Sequence, residues 1–304
     1  MAKLYPRTLL EFEHWIRTEE ACRDYLAGIR WPTGFRCPRC SHGQFWKTSR
    51  GLLHCGACRT DISVTAGTIF QGSHLSLRLW FRAIWWITSQ KSGVSALGLQ
   101  RVLGLGSYKT AWNCLHKLRG AMIRPGREFL SGKVEVDEII IGGRQRGGRG
   151  FRSQGPQSMI VAAVEIRGAG SGRVRLQDIP GYTAKSLENF VQQVIEPGSE
   201  VLTDGRLGYS GIGTLGYRHN PTVLTGKGKQ AAKALLPRVH RVASLLKRWL
   251  LGIHHGRVSR KHLPSYLEEF AFRFNRRSSP HRGMLFYRTI QNGVVKISNH
   301  EMSA

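Results

Sequence analysis

The chain has 304 residues, 41% of them hydrophobic, with 46 Lys plus Arg against 19 Asp plus Glu, a formal net charge of +27. That length accommodates two or three domains, one of them with a full hydrophobic core. The apolar stretch "LWFRAIWWITSQ" (79–90) is too short to span a bilayer and carries Arg82. Basic charge spread along the whole chain draws polyanions, which points to DNA or RNA rather than a membrane patch.

In chain order, residues 1–30 read as one helix: "LLEFEHWIRTEEACRDYLAGI" places acidic and apolar residues at helical spacing, and Gly28 lies near its stop. Residues 31–72 hold two cysteine pairs, Cys37/Cys40 and Cys55/Cys58, with two residues inside each pair and fourteen between the pairs. That spacing suits a structural Zn²⁺ held by four thiolates in a zinc ribbon. The alternatives are two disulfides or four buried thiols. The opening "MAKLYPRTLL" lacks an apolar signal region, so a cytosolic chain is expected, in which disulfides are rare. Cys22 and Cys114 lie in apolar helical surroundings and read as inert core residues.

Residues 73–130 read as helical. "SALGLQRVLG" and "SYKTAWNCLHKLRGAMI" are joined by the glycine-containing turn "LGLG", as a helix-turn-helix requires. Tyr108 and Lys109 would open its second helix, where side chains reach base edges or phosphates. The alternative is a helical bundle that joins the ribbon to the next domain.

From Lys133 the pattern changes to strands. "KVEVDEIIIGG", "SMIVAAVEIRG" and "GRVRLQDIP" precede a helix, "AKSLENFVQQVIEP". Then come the short strand "SEVLTDG", a further strand in "HNPTVL", and a long basic helical segment that Pro237 starts or kinks. This order is that of a ribonuclease H-like fold over 131–290, followed by a tail, 291–304. Between the first two strands, "GGRQRGGRGFRSQG" is too glycine-rich for regular structure, and Arg144, Arg146 and Arg149 make it an arm able to track phosphates.

Two acids carry the chemistry. Asp137 stands inside a strand between Val and Ile neighbours, where a carboxylate is costly unless it meets a cation. Asp204 ends another strand, beside a glycine. If those strands are neighbours, the two carboxylates meet at one end of the sheet, and divalent metal removes their repulsion. Two such ions can bind the attacking and leaving oxygens of an in-line phosphoryl displacement.

The cysteine pairs, "GVSALGLQRVLGLGSYKTAW", "VEVDEIIIGG", "VLTDGRLGY", "HRVASLLKRWLLGIHHG" and "YLEEFAFRFNRR" together resemble a bacterial insertion-sequence transposase of the DDE superfamily. The similarity is to family 1595, which has an N-terminal zinc ribbon and a D-D-N/E/H-K pattern. It spans nearly the whole chain, to about Tyr287.

The resemblance implies Asp137 as the first acid, Asp204 as the second, His240 at the third position and Lys247 seven residues on. An imidazole at 240 departs from the superfamily's usual glutamate. Mg²⁺ prefers oxygen, so nitrogen there suits Mn²⁺ better. A helix-face His240 on a DNA phosphate is the alternative, with Glu268 or Glu269 then the third ligand.

Lys247, with Arg248 beside it, would hold phosphate near the metals, and Arg276 and Arg277 would face DNA at the end of a helix burying Phe272. The implied protein binds the terminal inverted repeats of its element and cuts and joins strands with Mg²⁺ or Mn²⁺. It would work as a homodimer or larger assembly on double-stranded DNA, in the bacterial cytoplasm and nucleoid. A non-catalytic zinc-ribbon DNA-binding protein and a nuclease of the same fold are the competing readings.

Overall fold

In the computed structural model the described residues are 5–123, 126–142, 158–222, 235–254 and 258–295. They belong to two compact units, Met1–Arg124 with Ser278–Ala304, and Pro125–Arg277. No helix among the described residues is long and apolar enough to cross a membrane. The arm with Arg144, Arg146 and Arg149 lies outside the described residues.

The first unit begins with two helices, α1 (Leu9–Trp15) and α2 (Glu19–Arg30), where one was expected over 1–30. The break comes from Thr18, whose extended backbone and hydroxyl, accepting from the Ala21 N–H at 3.1 Å, start a new helix. Strands β1 (Phe45–Lys47), β2 (Leu53–Cys55) and β3 (Asp61–Ile62) form the small antiparallel ribbon sheet. Helices α3 (Leu77–Ser89), α4 (Ala96–Leu103) and α5 (Tyr108–Met122) follow. Gly104 ends α4 in the left-handed conformation (φ +61°), which a residue with a Cβ rarely adopts. Ser107 then caps α5 through the Thr110 N–H. The expected pair of short helices around a glycine turn is therefore present.

The second unit is a five-stranded sheet in the order β6-β5-β4-β7-β8. Its strands are β4 (Lys133–Ile141), β5 (Ser158–Arg167), β6 (Gly170–Ile179), β7 (Glu200–Thr203) and β8 (Arg218–Pro221). The first three run antiparallel, while β7 pairs parallel with both β4 and β8. Helix α6 (Ala184–Val194) precedes β7, and a 3₁₀ helix (Leu207–Leu215) follows it. Helices α7 (Pro237–His254) and α8 (Leu263–Asn275) complete the unit. Three antiparallel strands continued by a parallel pair, with helices on both faces, are the ribonuclease H-like arrangement that the element order predicted.

Strand alternation divides this unit's core in two. Val134, Val136, Val161 and Val201 face α6 and the 3₁₀ helix. Ile139, Ile160, Ala162 and Val174 face α7 and α8. Helix α7 buries Val239, Val242, Leu246 and Leu250, a single stripe at helical spacing.

The last described helix, α9 (Arg282–Val294), belongs to the first unit, not to the catalytic domain expected over 131–290, and it takes in part of the tail expected at 291–304. Its Phe286 is enclosed by aromatic rings, with centroids 5.2 Å from Phe12, 5.7 Å from Phe81 and 5.9 Å from Trp85. That enclosure gives the segment its place.

Candidate metal centres and active site

The ribbon builds its site from two matching knuckles. Ser41 and Arg59, each just after the second cysteine of a pair, adopt positive φ of 60° and 56°. Their N–H groups donate to the Cys37 and Cys55 carbonyls at 2.8 and 3.1 Å. These turns aim the backbone N–H groups of His42, Ala57, Cys58 and Thr60 at the sulfurs, which favours thiolate. The Sγ atoms of Cys37 and Cys58 lie 3.6 Å apart, as do those of Cys40 and Cys55. A disulfide needs about 2.05 Å. Four sulfurs around one ion at about 2.3 Å stand about 3.8 Å apart, so the cluster fits a tetrahedral metal and not two disulfides. Cys22 and Cys114 are buried apart from it, and burial pushes both thiols up to about 12.

The acidic cluster arises where β7 stops. Its parallel ladder with β4 runs from Lys133↔Glu200 to Glu135↔Leu202. Two residues further on come Asp137, in the middle of β4, and Asp204, just past the end of β7, so the two carboxylates meet where the parallel ladder stops. Gly205, with φ +75°, turns the chain away. Carboxylate oxygens of Asp137, Glu138 and Asp204 lie within 4.8 Å of one another.

Glu138 was not singled out by the sequence reading. Its neighbour in the strand points to the other face by alternation, so a paired role for adjacent acids is not legible from the pattern. Among the described residues the β7-facing edge of β4 has no ladder partner beyond Glu135, and the Glu138 side chain joins the cluster. One of its oxygens, Oε1, is buried without a hydrogen-bond partner among the described residues.

Helix α7 brings His240 to the same place, with Nδ1 3.5 Å from Asp137 Oδ2. Arg206 joins the other two acids, its Nε donating to Asp204 Oδ2 at 2.9 Å and Nη1 to Glu138 Oε2 at 3.3 Å. Its guanidinium lies over the Tyr182 ring. Burial raises the Asp137 carboxyl above its ordinary range, the Glu138 N–H and His240 oppose this, and the Asp204 charge adds to it. Burial pushes Glu138 up to about 7, against the Tyr209 hydroxyl and Arg206. Carboxylates so costly to charge gain from a cation, and their oxygen donors suit a hard divalent metal.

Glu268 and Glu269 are not in this group. Glu268 forms a two-pronged pair with Arg127, and Glu269, fully buried, binds Arg273 at 3.0 Å. Lys247 and Arg248 are exposed on α7, and Tyr108 and Lys109 are exposed at the start of α5. Arg276 and Arg277, expected to face DNA, make contacts within their own unit. Arg276 donates to the Phe272 carbonyl and covers the Phe272 ring at 4.2 Å. Arg277 donates to the carbonyls of Phe274, Gly172 and Ser171. The last carbonyls of α8 lack helical partners, and these guanidiniums supply them.

Comparison with known proteins gives two family matches. Residues 129–275 match the ISXO2-like transposase domain of insertion-sequence family 1595, and residues 17–61 match that family's transposase zinc-ribbon domain. A protein of Halobacterium salinarum described as an uncharacterized protein in transposable element ISH50 is 27% identical over 280 residues, covering 84% of this chain and 90% of that one. Among solved structures, a chain from the cryoEM structure of the simian T-cell lymphotropic virus intasome in complex with PP2A regulatory subunit B56 gamma is 14% identical, with a TM-score of 0.30. That similarity covers 57% of this chain and 63% of the other, less than two thirds of its length.

Proposed function

Because this chain belongs to insertion-sequence family 1595 of transposases, we propose that it binds the terminal inverted repeats of its element and catalyses strand cleavage and strand transfer. The observation that carries the reading is the convergence of Asp137, Glu138 and Asp204 where the parallel ladder of β4 and β7 stops, with His240 against Asp137. These four side chains would hold Mg²⁺ or Mn²⁺. A bound divalent metal supplies nucleophile activation and stabilises the leaving oxygen.

The chain's own residues do the rest. Lys247 follows His240 by two helical turns, about 10.5 Å along α7, on the same face. It and Arg248 would fix the phosphates beside the cluster, while Tyr108 and Lys109 would engage the element end. Water displaces the 3′ oxygen of one strand, leaving a 3′-hydroxyl and a 5′-phosphate. The 3′-hydroxyl then displaces a 3′ oxygen in target DNA, so one phosphodiester replaces another. Cys37, Cys40, Cys55 and Cys58 would hold Zn²⁺ and keep the ribbon folded. Two element ends are joined in one event, which calls for a homodimer or larger assembly on DNA in the cytoplasm.

One observation favours a second reading, a non-catalytic DNA-binding protein: residue 240 is an imidazole, not a carboxylate. A strand-transfer assay on element-end DNA with Mg²⁺ and Mn²⁺ decides. The wild type is expected to transfer, and Asp204→Ala to lose on the order of 100-fold or more while still binding ends, since even supporting residues of metal sites cost 10–100-fold. Binding without cleavage in either metal would establish the non-catalytic reading. Cleavage without transfer would make the protein a nuclease.

A further inference from the structure

Helix α7 starts without a cap of its own. Pro237 has no N–H to satisfy, and Leu236, which precedes it, has no side-chain oxygen. The next two donors, the N–H groups of Arg238 and the buried Val239, need acceptors. Glu135 of β4 provides them. Its Oε2 accepts from the Arg238 N–H at 2.7 Å and the Val239 N–H at 2.8 Å. Its Oε1 accepts from Arg238 Nη1 at 3.1 Å. Glu135 is only 1% exposed.

Arg238 extends the clamp, donating through Nε to the Gly170 carbonyl and through Nη2 to that of Gly168, at the β5–β6 turn. The first turn of α7 is therefore tied to the sheet at two places. Glu135 and Asp137 lie two residues apart on the same face of β4, and His240 lies two residues after Arg238. The carboxylate that anchors the helix is thus joined to the cluster at both ends, through the strand to Asp137 and through the helix to His240.

We propose that Glu135 is a positioning residue: it sets the height and rotation of α7 on β4, and through them the distance of His240 from Asp137. Resting on the metal-dependent reading above, this assigns the cluster's geometry to a residue that touches neither metal nor DNA. An ordinary helix cap holds its own helix; Glu135 fixes the helix to the strand that carries the first acid.

The test is Mn²⁺ affinity, measured on the full-length protein by the electron paramagnetic resonance of free Mn²⁺, for two variants of opposite character. Glu135→Gln keeps the length and an acceptor but loses the charge. Glu135→Asp keeps the charge but is one methylene too short to reach both N–H groups. Positioning predicts Gln within about threefold of wild type and Asp weaker by about tenfold, the low end of losses for residues that orient metal ligands. Both variants at wild-type affinity, with only a lowered melting temperature, would reduce Glu135 to a structural cap and overturn the proposal. A weak Gln and a normal Asp would make it a charge effect and overturn it equally. His240→Ala, measured alongside, separates the two levels. If it too binds Mn²⁺ like wild type, the ligand role of His240 fails; if only the Glu135 variants are unchanged, the inference alone fails.

Discussion

His240 holds its imidazole 3.5 Å from the Asp137 carboxylate, so the residue at 240 decides the charge of the whole cluster. His240→Glu would add a further carboxylate to Asp137, Glu138 and Asp204, with Arg206 the one arginine or lysine paired with them among the described residues. Like charges at such distances are tolerated when a cation lies between them. The variant is expected to melt several degrees below wild type without divalent ions, at about 2–4 °C per kcal/mol for a unit of this size. Mg²⁺ should restore more stability to it than to wild type, and activity in Mg²⁺ should persist, because oxygen replaces nitrogen as donor. Thermal unfolding with and without Mg²⁺ checks this. A variant that loses DNA binding and shows no Mg²⁺-dependent stabilisation would place His240 on phosphate instead. Asp137 and Asp204 were legible as isolated carboxylates, one amid β-branched residues and one at an Asp-Gly turn. Glu138 was not, because its access depends on where the β7 ladder ends, which no local pattern records. The place of Glu268 and Glu269, the alternatives for the third ligand, was hidden for the converse reason: two adjacent acids in a helix do not reveal that Arg127 and Arg273 already hold them.

Among the elements, the β5–β6 hairpin depends on one buried ion pair. Glu165, 2% exposed, accepts from Arg173 Nη2 at 2.6 Å, from the Arg173 N–H at 3.0 Å and from the Ser131 N–H at 3.2 Å. Burial alone would raise its carboxyl, but the hydrogen bonds and charge of Arg173 outweigh burial and hold it below the usual range. A folded-state value below the unfolded one means the pair stabilises fully above the unfolded pKa, about 4.3. That contribution is lost as pH falls through the folded value. Glu165→Gln should therefore cost about 3 kcal/mol at pH 7, the low end for breaking a buried pair, and the difference should shrink below about pH 4. Urea unfolding at both pH values measures it, and a pH-independent difference would mean packing, not charge, is at stake. Strands β4 to β7 and helices α3 to α8 were legible because their apolar periods are strong and capping residues such as Ser76, Ser107 and Thr183 are explicit. Two of the features that were not have plain causes. The break at Thr18 is hidden by an apolar period that runs through it. The placement of α9 was hidden because an amphipathic pattern shows that a helix has a buried face without showing which core receives it.

At the scale of the molecule, a +27 chain binds DNA by charge whether or not its ribbon is folded, so selectivity and affinity should separate when the metal is removed. The ribbon's buried core is Phe35, Cys37, Leu53, Cys55 and Ile62, and two of those five are the ligands themselves. A core this small does not hold a fold without a cross-link. Purified protein should contain one Zn²⁺ per chain, and Cys37→Ser, or stripping with a chelator, should unfold the ribbon while leaving the sheet of β4–β8 intact. Fluorescence anisotropy over a salt series would then show element ends and unrelated DNA bound alike. The selectivity ratio should fall by at least about tenfold, a small part of the 10³–10⁷ that specific sites typically hold over non-specific ones. The residual binding should keep a steep salt slope, because each neutralised phosphate still releases its counterion. Undenatured protein without zinc, or a Cys37→Ser variant as selective as wild type, would remove the ribbon from end recognition and leave that task to α4 and α5.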